Sequence, residues 1–164
     1  MQCLNVHHFG IWAEDVDEMV LFLTQVLGFQ LVKRQPLDPG ERVFVHLGGN
    51  QLFEILSVPG MQSRPDIPAH MAPETSPVVG VPHICLRVTD LPAWEERIRS
   101  ANYRINNHWP PEGGFGRWEL GVTRTIWFTG PSGVDFELFE FSEEYPLEVG
   151  ASGTGTRMER PAEP

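Results

Sequence analysis

The sequence predicts an α+β fold made of two tandem βαβββ modules, and three observations carry that expectation. Val6-His7-His8-Phe9-Gly10-Ile11-Trp12-Ala13-Glu14-Asp15-Val16 aligns without a gap with Val81-Pro82-His83-Ile84-Cys85-Leu86-Arg87-Val88-Thr89-Asp90-Leu91. The offset is constant, since His83 minus His8 and Asp90 minus Asp15 are both 75, and such self-similarity marks a duplicated structural unit. Each copy then shows a helical pattern followed by strand-like stretches. Both copies close on one phrase, Phe53-Glu54-Ile55-Leu56 and Phe136-Glu137-Leu138-Phe139.

The elements follow in order. Phe9, Ile11 and Ala13 alternate with more polar or small neighbours, which predicts a strand with one buried face. Val16, Met19, Val20, Leu23, Val26 and Leu27 recur at helical spacing. Asp15 stands at the N-cap, Glu18 completes a capping-box variant, and Gly28 closes the helix. Strands are expected at Phe29 to Lys33, Arg42 to Leu47 and Gln51 to Val58. In the second copy Ile84, Leu86 and Val88 alternate, and Asp90 precedes a helix with Pro92 in its first turn. Leu91, Trp94, Ile98 and Ala101 share one face of that helix. Strands are expected at Arg104 to Asn106, Val122 to Thr129 and Val134 to Phe141. The division is therefore a first module over 1–60, a linker over 61–79, a second module over 80–142 and a flexible polar tail over 143–164.

Composition narrows the function. The formal net charge is −10, and no cluster of Arg and Lys offers a phosphate backbone a basic surface, so nucleic acid is excluded as a partner. No apolar run reaches the roughly 18–20 residues of a membrane span, and Met1 to Val6 lacks a secretory pattern. The expectation is a cytoplasmic protein without a membrane partner. Cys3 and Cys85 lack CxxC spacing and read as reduced thiols.

Strand alternation turns His8 and His83 away from the helix side, because Phe9 and Ile84 point toward it. Glu54 shares its face with Leu52 and Leu56, and Glu137 shares its face with Phe139. A carboxylate on a largely apolar face is costly unless it is paired or metal-bound. The duplication relates His8 to His83 and Glu54 to Glu137, so two imidazoles and two carboxylates form a set that suits one divalent ion. On an octahedral ion they leave two positions for water or substrate. His46 shares the face of Phe44 and is a candidate acid or base beside Glu137 and Glu54. Trp12 lies on the His8 face and is a candidate pocket wall, while His7, His70 and His108 have no partner spacing. Trp109 to Trp118, with Pro110-Pro111 and Gly113-Gly114, reads as a mobile cover or a plain surface connection.

Four stretches resemble the vicinal oxygen chelate superfamily, which includes glyoxalase I, methylmalonyl-CoA epimerase, extradiol dioxygenases and fosfomycin- and bleomycin-resistance proteins. They are Val6 to Ile11, Val43 to Gly48 followed by Phe53 to Leu56, Gly80 to Cys85 and Gly130 to Leu138. The resemblance implies a cupped, barrel-like mixed sheet with helices outside, and a homodimer. It implies His8, Glu54, His83 and Glu137 as the ligands of zinc, nickel, cobalt, manganese or magnesium rather than iron. It is strongest to glyoxalase I and to methylmalonyl-CoA epimerase, although Val43 to Leu47 holds no acid where the epimerase has its catalytic glutamate. The implied activity is that of a lyase, isomerase or epimerase, with proton transfer next to a carbonyl of a small substrate chelated by its oxygens. An iron dioxygenase of the same fold and a non-catalytic antibiotic-binding protein are the alternatives.

Overall fold

A computed structural model of the chain describes residues 6–49, 51–60, 83–118 and 120–145. The linker over 61–79 and the tail beyond Tyr145 lie outside the described residues. The first module runs β1 (His8–Trp12), α1 (Val16–Leu21, continued by a π-helical turn over Phe22–Val26), β2 (Gln30–Leu37), β3 (Gly40–Gly48) and β4 (Gln51–Ser57). The second runs β5 (Ile84–Arg87), α2 (Leu91–Ser100), β6 (Ile105–Trp109), β7 (Gly116–Trp118), β8 (Gly121–Thr129) and β9 (Asp135–Glu144).

The two modules form separate mixed sheets with the same winding. One has the order β1-β4-β3-β2, the other β5-β9-β8-β6 with β7 beside β8. In each, the first and last strands are neighbours and run parallel, so Gly10 faces Glu54 and Cys85 faces Glu137. The hairpins superpose too: Phe44 pairs with Glu54 as Trp127 pairs with Glu137, and Arg42 pairs with Leu56 as Thr125 pairs with Phe139. First-strand equivalents differ by 75 residues, last-strand equivalents (Glu54 and Glu137) by 83, so the second module is eight residues longer. The excess lies between α2 and β8, and β7 occupies part of it.

Three details depart from the sequence expectation. β2 continues to Leu37, and Pro36 is tolerated there because β2 is an edge strand. β7 was not expected, since three residues around Arg117 are too few for an alternation to register. The end of α1 widens to a π turn: Thr24 Oγ1 donates to the Val20 carbonyl at 2.8 Å, and Leu27 N reaches back five residues to the Phe22 carbonyl at 3.0 Å. Gly40 is required where β2 turns into β3. Its φ is +111°, and a Cβ there would lie 2.1 Å from the Ser57 carbonyl oxygen.

Each helix packs on one face of its own sheet, outside the cup, as the alternation demands. In the first module Ile11, Val43, Val45, Phe53 and Ile55 meet Met19, Val20 and Leu23; in the second Ile126, Phe128, Phe136 and Leu138 meet Leu91 and Ile98. These two sets are one continuous core. The residue that joins them is Phe22, only 1% exposed, whose ring stands 5.0 Å from Tyr103, 5.1 Å from Phe136 and 6.0 Å from Phe128. Arg97 Nη2 donates to the Gln25 carbonyl at 2.8 Å, so the ends of α1 and α2 also touch. The modules thus meet through their helix-bearing sides, and the opposite, open face of each sheet is turned away from the shared core.

The start of α2 has a device that no local pattern announces. Asp90 caps Ala93 N at 3.4 Å, while Glu140 of β9 accepts from Asp90 N at 3.0 Å, Leu91 N at 2.9 Å and Arg124 Nε at 2.7 Å. Burial would raise the Glu140 carboxyl, but these donors outweigh it and hold the group below its ordinary value.

Two outcomes follow for stability. Phe22→Ala removes a ring that both modules share and should cost about 3–5 kcal/mol in denaturant unfolding; a loss under about 1 kcal/mol would mean the modules are not held by this ring. Glu140 binds a proton less readily folded than unfolded. Its contribution is therefore complete above the ordinary carboxylate range and lost as pH falls through the depressed value. Glu140→Gln should lose about 2 kcal/mol at neutral pH and flatten the acid limb of the stability profile. An unchanged acid limb would remove Glu140 from it.

Candidate metal centre

The open faces are where the four expected ligands stand. Pairing places three rows across the first sheet's open face: His8, Leu52 and His46; Gly10, Glu54 and Phe44; Trp12, Leu56 and Arg42. The second sheet repeats the two latter rows as Cys85, Glu137 and Trp127, then Arg87, Phe139 and Thr125. Trp12 is on the open face as expected, 57% exposed.

Within each module an imidazole meets a carboxylate. His8 Nε2 lies 3.4 Å from Glu54 Oε2, and His83 Nε2 lies 3.0 Å from Glu137 Oε2. Two neighbouring ligands on an ion with bonds near ~2.1 Å stand roughly 3.0 Å apart. Each pair therefore has the spacing of two adjacent ligands, and the donor set of two imidazoles and two carboxylates fits one divalent ion. The chain does not bring the pairs together: among the described residues no group of three or more His, Cys, Asp or Glu is arranged to hold a metal. That follows from the fold, since both pairs ride on faces turned away from the common core.

The two pairs are not equally held. Glu137 is 7% exposed and accepts from Thr125 Oγ1 at 2.9 Å. Burial would raise its carboxyl, but the His83 and Thr125 hydrogen bonds prevail and it sits below its ordinary value. The same contact raises His83 against the effect of burial. Cys85 also faces Glu137. The residue as a whole is exposed, yet burial of its sulfur, and then the Glu137 charge, push the thiol up to about 12. The thiol keeps its proton and donates a hydrogen bond to the carboxylate.

Glu54 is held differently. Arg42 Nε lies 2.9 Å from Glu54 Oε1, but this N–H is not aimed at the oxygen and makes no aligned hydrogen bond. The contact is one of charge. Arg42 and Thr125 are structural equivalents, each twelve residues ahead of its glutamate. That repeated spacing was a signal in the sequence, masked because an arginine and a threonine do not look alike.

His46 reaches the open face as expected, in the His8 row with Leu52 between them. Its Nε2 lies 2.9 Å from the Gly49 carbonyl, which ties the ring to the β3–β4 turn as a donor. Among the described residues His7 Nδ1 lies 3.0 Å from His8 Nδ1 and His108 Nε2 lies 3.0 Å from Glu95 Oε1 on α2; His70 lies outside the described residues. Trp109 to Trp118 is the end of β6, a turn and β7, and Trp118 packs on Phe139 at 5.3 Å.

Comparison with known proteins agrees with this architecture. No curated protein matches the chain in sequence. Among solved structures, a lactoylglutathione lyase from Agrobacterium tumefaciens shares 22% identity and a TM-score of 0.55, over 83% of this chain and 92% of that one. The fosfomycin resistance protein FosX from Listeria monocytogenes, complexed with Mn(II) and sulfate, shares 14% identity and a TM-score of 0.58, over 87% and 95%. TnmS3, an antibiotic-binding protein from Streptomyces sp. CB03234, shares 19% identity and a TM-score of 0.57, over 87% and 99%. These likenesses are of fold. In sequence, a family model matches residues 5–138, most of the chain. With its paired βαβββ sheets and that match, the chain belongs to the Glyoxalase/Bleomycin resistance protein/Dioxygenase superfamily.

Proposed function

We propose that the chain is a metal-dependent enzyme of the lyase or isomerase type, acting by proton transfer next to a carbonyl of a small oxygen-bearing substrate. The observation that carries this reading is the repeated His–Glu pair, spaced as metal ligands on both open faces. His8, Glu54, His83 and Glu137 would hold one divalent ion. When bound, the ion polarises the substrate's adjacent oxygens and offsets negative charge that develops on them.

Among the described residues the two pairs do not meet within one chain, so one site would take β1 and β4 from one protomer and β5 and β9 from its partner. A twofold homodimer holds two such sites. It also covers the apolar residues on the open faces, Trp12 and Trp118 among them, which a lone chain leaves in water.

Glu137 is the proton acceptor of choice. Thr125 fixes Oε1, which leaves Oε2 facing His83 and the site. Glu54 has its charge offset by Arg42, and His46 spends Nε2 on the Gly49 carbonyl. A fourth ligand at Glu54 separates this reading from an iron dioxygenase, which must place oxygen beside a chelated substrate with three protein ligands. An imidazole spaced as a neighbouring ligand beside each carboxylate favours it over a metal-free binding protein.

Mixing tests the assembly. His8→Gln and His83→Gln chains each lose metal alone, but an equal mixture should recover about one site in four, because half the dimers pair two intact halves. No recovery would place each site within one chain. Chemistry is tested with deuterium: metal-loaded protein should exchange the α-hydrogens of a small hydroxyketone with solvent. Glu137→Gln should slow that exchange by about 10²–10⁴-fold with a smaller loss of metal. Stoichiometric oxygen uptake that depends on ferrous iron would overturn the lyase or isomerase reading.

A further inference from the structure

We propose that Arg42 makes this site select a substrate bearing a single negative charge on or beside its chelating oxygens, such as a 2-hydroxy or 2-oxo carboxylate. The inference rests on the reading of His8, Glu54, His83 and Glu137 as one metal site, and it adds the chemical class of the ligand.

The argument begins with charge. Two neutral imidazoles, two carboxylates and a divalent ion sum to zero. A neutral site has no preference between a neutral and an anionic chelator beyond that of the ion itself. The structure adds one unit. Arg42 lies on the open face of the first sheet with Nε 2.9 Å from Glu54 Oε1, and its side chain remains 36% exposed. A guanidinium stays charged throughout the working pH range and carries five donors in a planar fork. Glu54 is its ion-pair partner among the described residues, and the contact uses the edge nearest that carboxylate. The side chain stands in the row beside Glu54 on that face and keeps a third of its surface in solvent, within reach of a ligand chelated there.

The second module shows that this charge is not required to hold a glutamate. At the equivalent position Thr125 does so with a hydroxyl at 2.9 Å. The cation on the second open face, Arg87, is engaged by Glu144 at 2.7 Å and lies over the Phe141 ring at 5.0 Å. Lys33, opposite Phe44 in the Glu54 row, is a second cation on the first open face, but Arg42 is the one in ion-pair contact with a carboxylate of the site. The chain's net charge of −10 sets the limit on the other side. A local guanidinium overrides that field for a small monoanion at short range, whereas a polyanion is repelled on approach.

Calorimetry on the Zn(II)-loaded dimer tests this with two probes of similar size. Glycolate chelates through a carboxylate and a hydroxyl; hydroxyacetone chelates through a carbonyl and a hydroxyl and is neutral. Arg42→Gln should weaken glycolate at least about tenfold and leave hydroxyacetone within about twofold. Arg42→Lys, which keeps the charge, should retain most of the glycolate affinity. Zn(II) affinity itself should be unchanged or tighter in Arg42→Gln, because a cation beside Glu54 opposes another. Equal weakening of both probes, or a parallel loss of Zn(II), would make Arg42 a clamp on Glu54 and overturn the proposal. No change in either probe would overturn it too. A wild-type protein that takes up no Zn(II) would instead bring down the metal reading, and with it this inference, a result the metal titration alone reveals.

Discussion

The parallel pairing of first strand with last strand is the constraint on which the rest of the molecule depends. In each module β1 or β5 enters beside the strand that ends the module, with three other elements between them in the first module and four in the second. A parallel ladder fixes register across that long separation, and register decides which side chains share a face. One residue of slip would send Glu54 or Glu137 into the core and an aliphatic residue to the open face. Burial resists that slip: Phe53, Ile55, Phe136 and Leu138 fill the helix-bearing side completely. The imidazole–carboxylate pairs are thus held in place by apolar residues that never touch them.

The second consequence of that packing is direction. Because Phe22 draws the helix sides of both sheets into one core, the chemistry is displaced to the two outer faces. Among the described residues the two imidazole–carboxylate pairs therefore stand on separate faces of the chain. Exposed aromatic residues, Trp12 and Trp118 among them, accompany the pairs on those faces.

Much of this was legible in the residues. The duplication, the strand alternation and the capping aspartates state the module, its helix and its buried face, and the duplication with strand parity singles out His8, Glu54, His83 and Glu137. What was not legible depends on contacts distant in sequence. Arg42 and Thr125 touch the carboxylates only once the hairpins have paired. Glu140 caps a helix fifty residues before it, and no spacing rule reaches that far. The π turn after α1 depends on one hydroxyl at Thr24 that competes for a backbone carbonyl. β7 is too short to carry a pattern. The linker over 61–79, which permits more than one way of joining the modules, could not say which sides would meet; the aromatic ring of Phe22 does.

The eight extra residues of the second module bear on how such a protein diversifies. They enter between α2 and β8, on the side of the sheet away from β5 and β9. Length can therefore vary there without shifting the strands that carry His83 and Glu137. A lineage can lengthen that edge, stand a new strand such as β7 and its Trp118 over the open face, and leave the imidazole–carboxylate pair untouched. The duplicated architecture separates what must keep its register from what is free to drift, and the two halves of this chain have already drifted unequally.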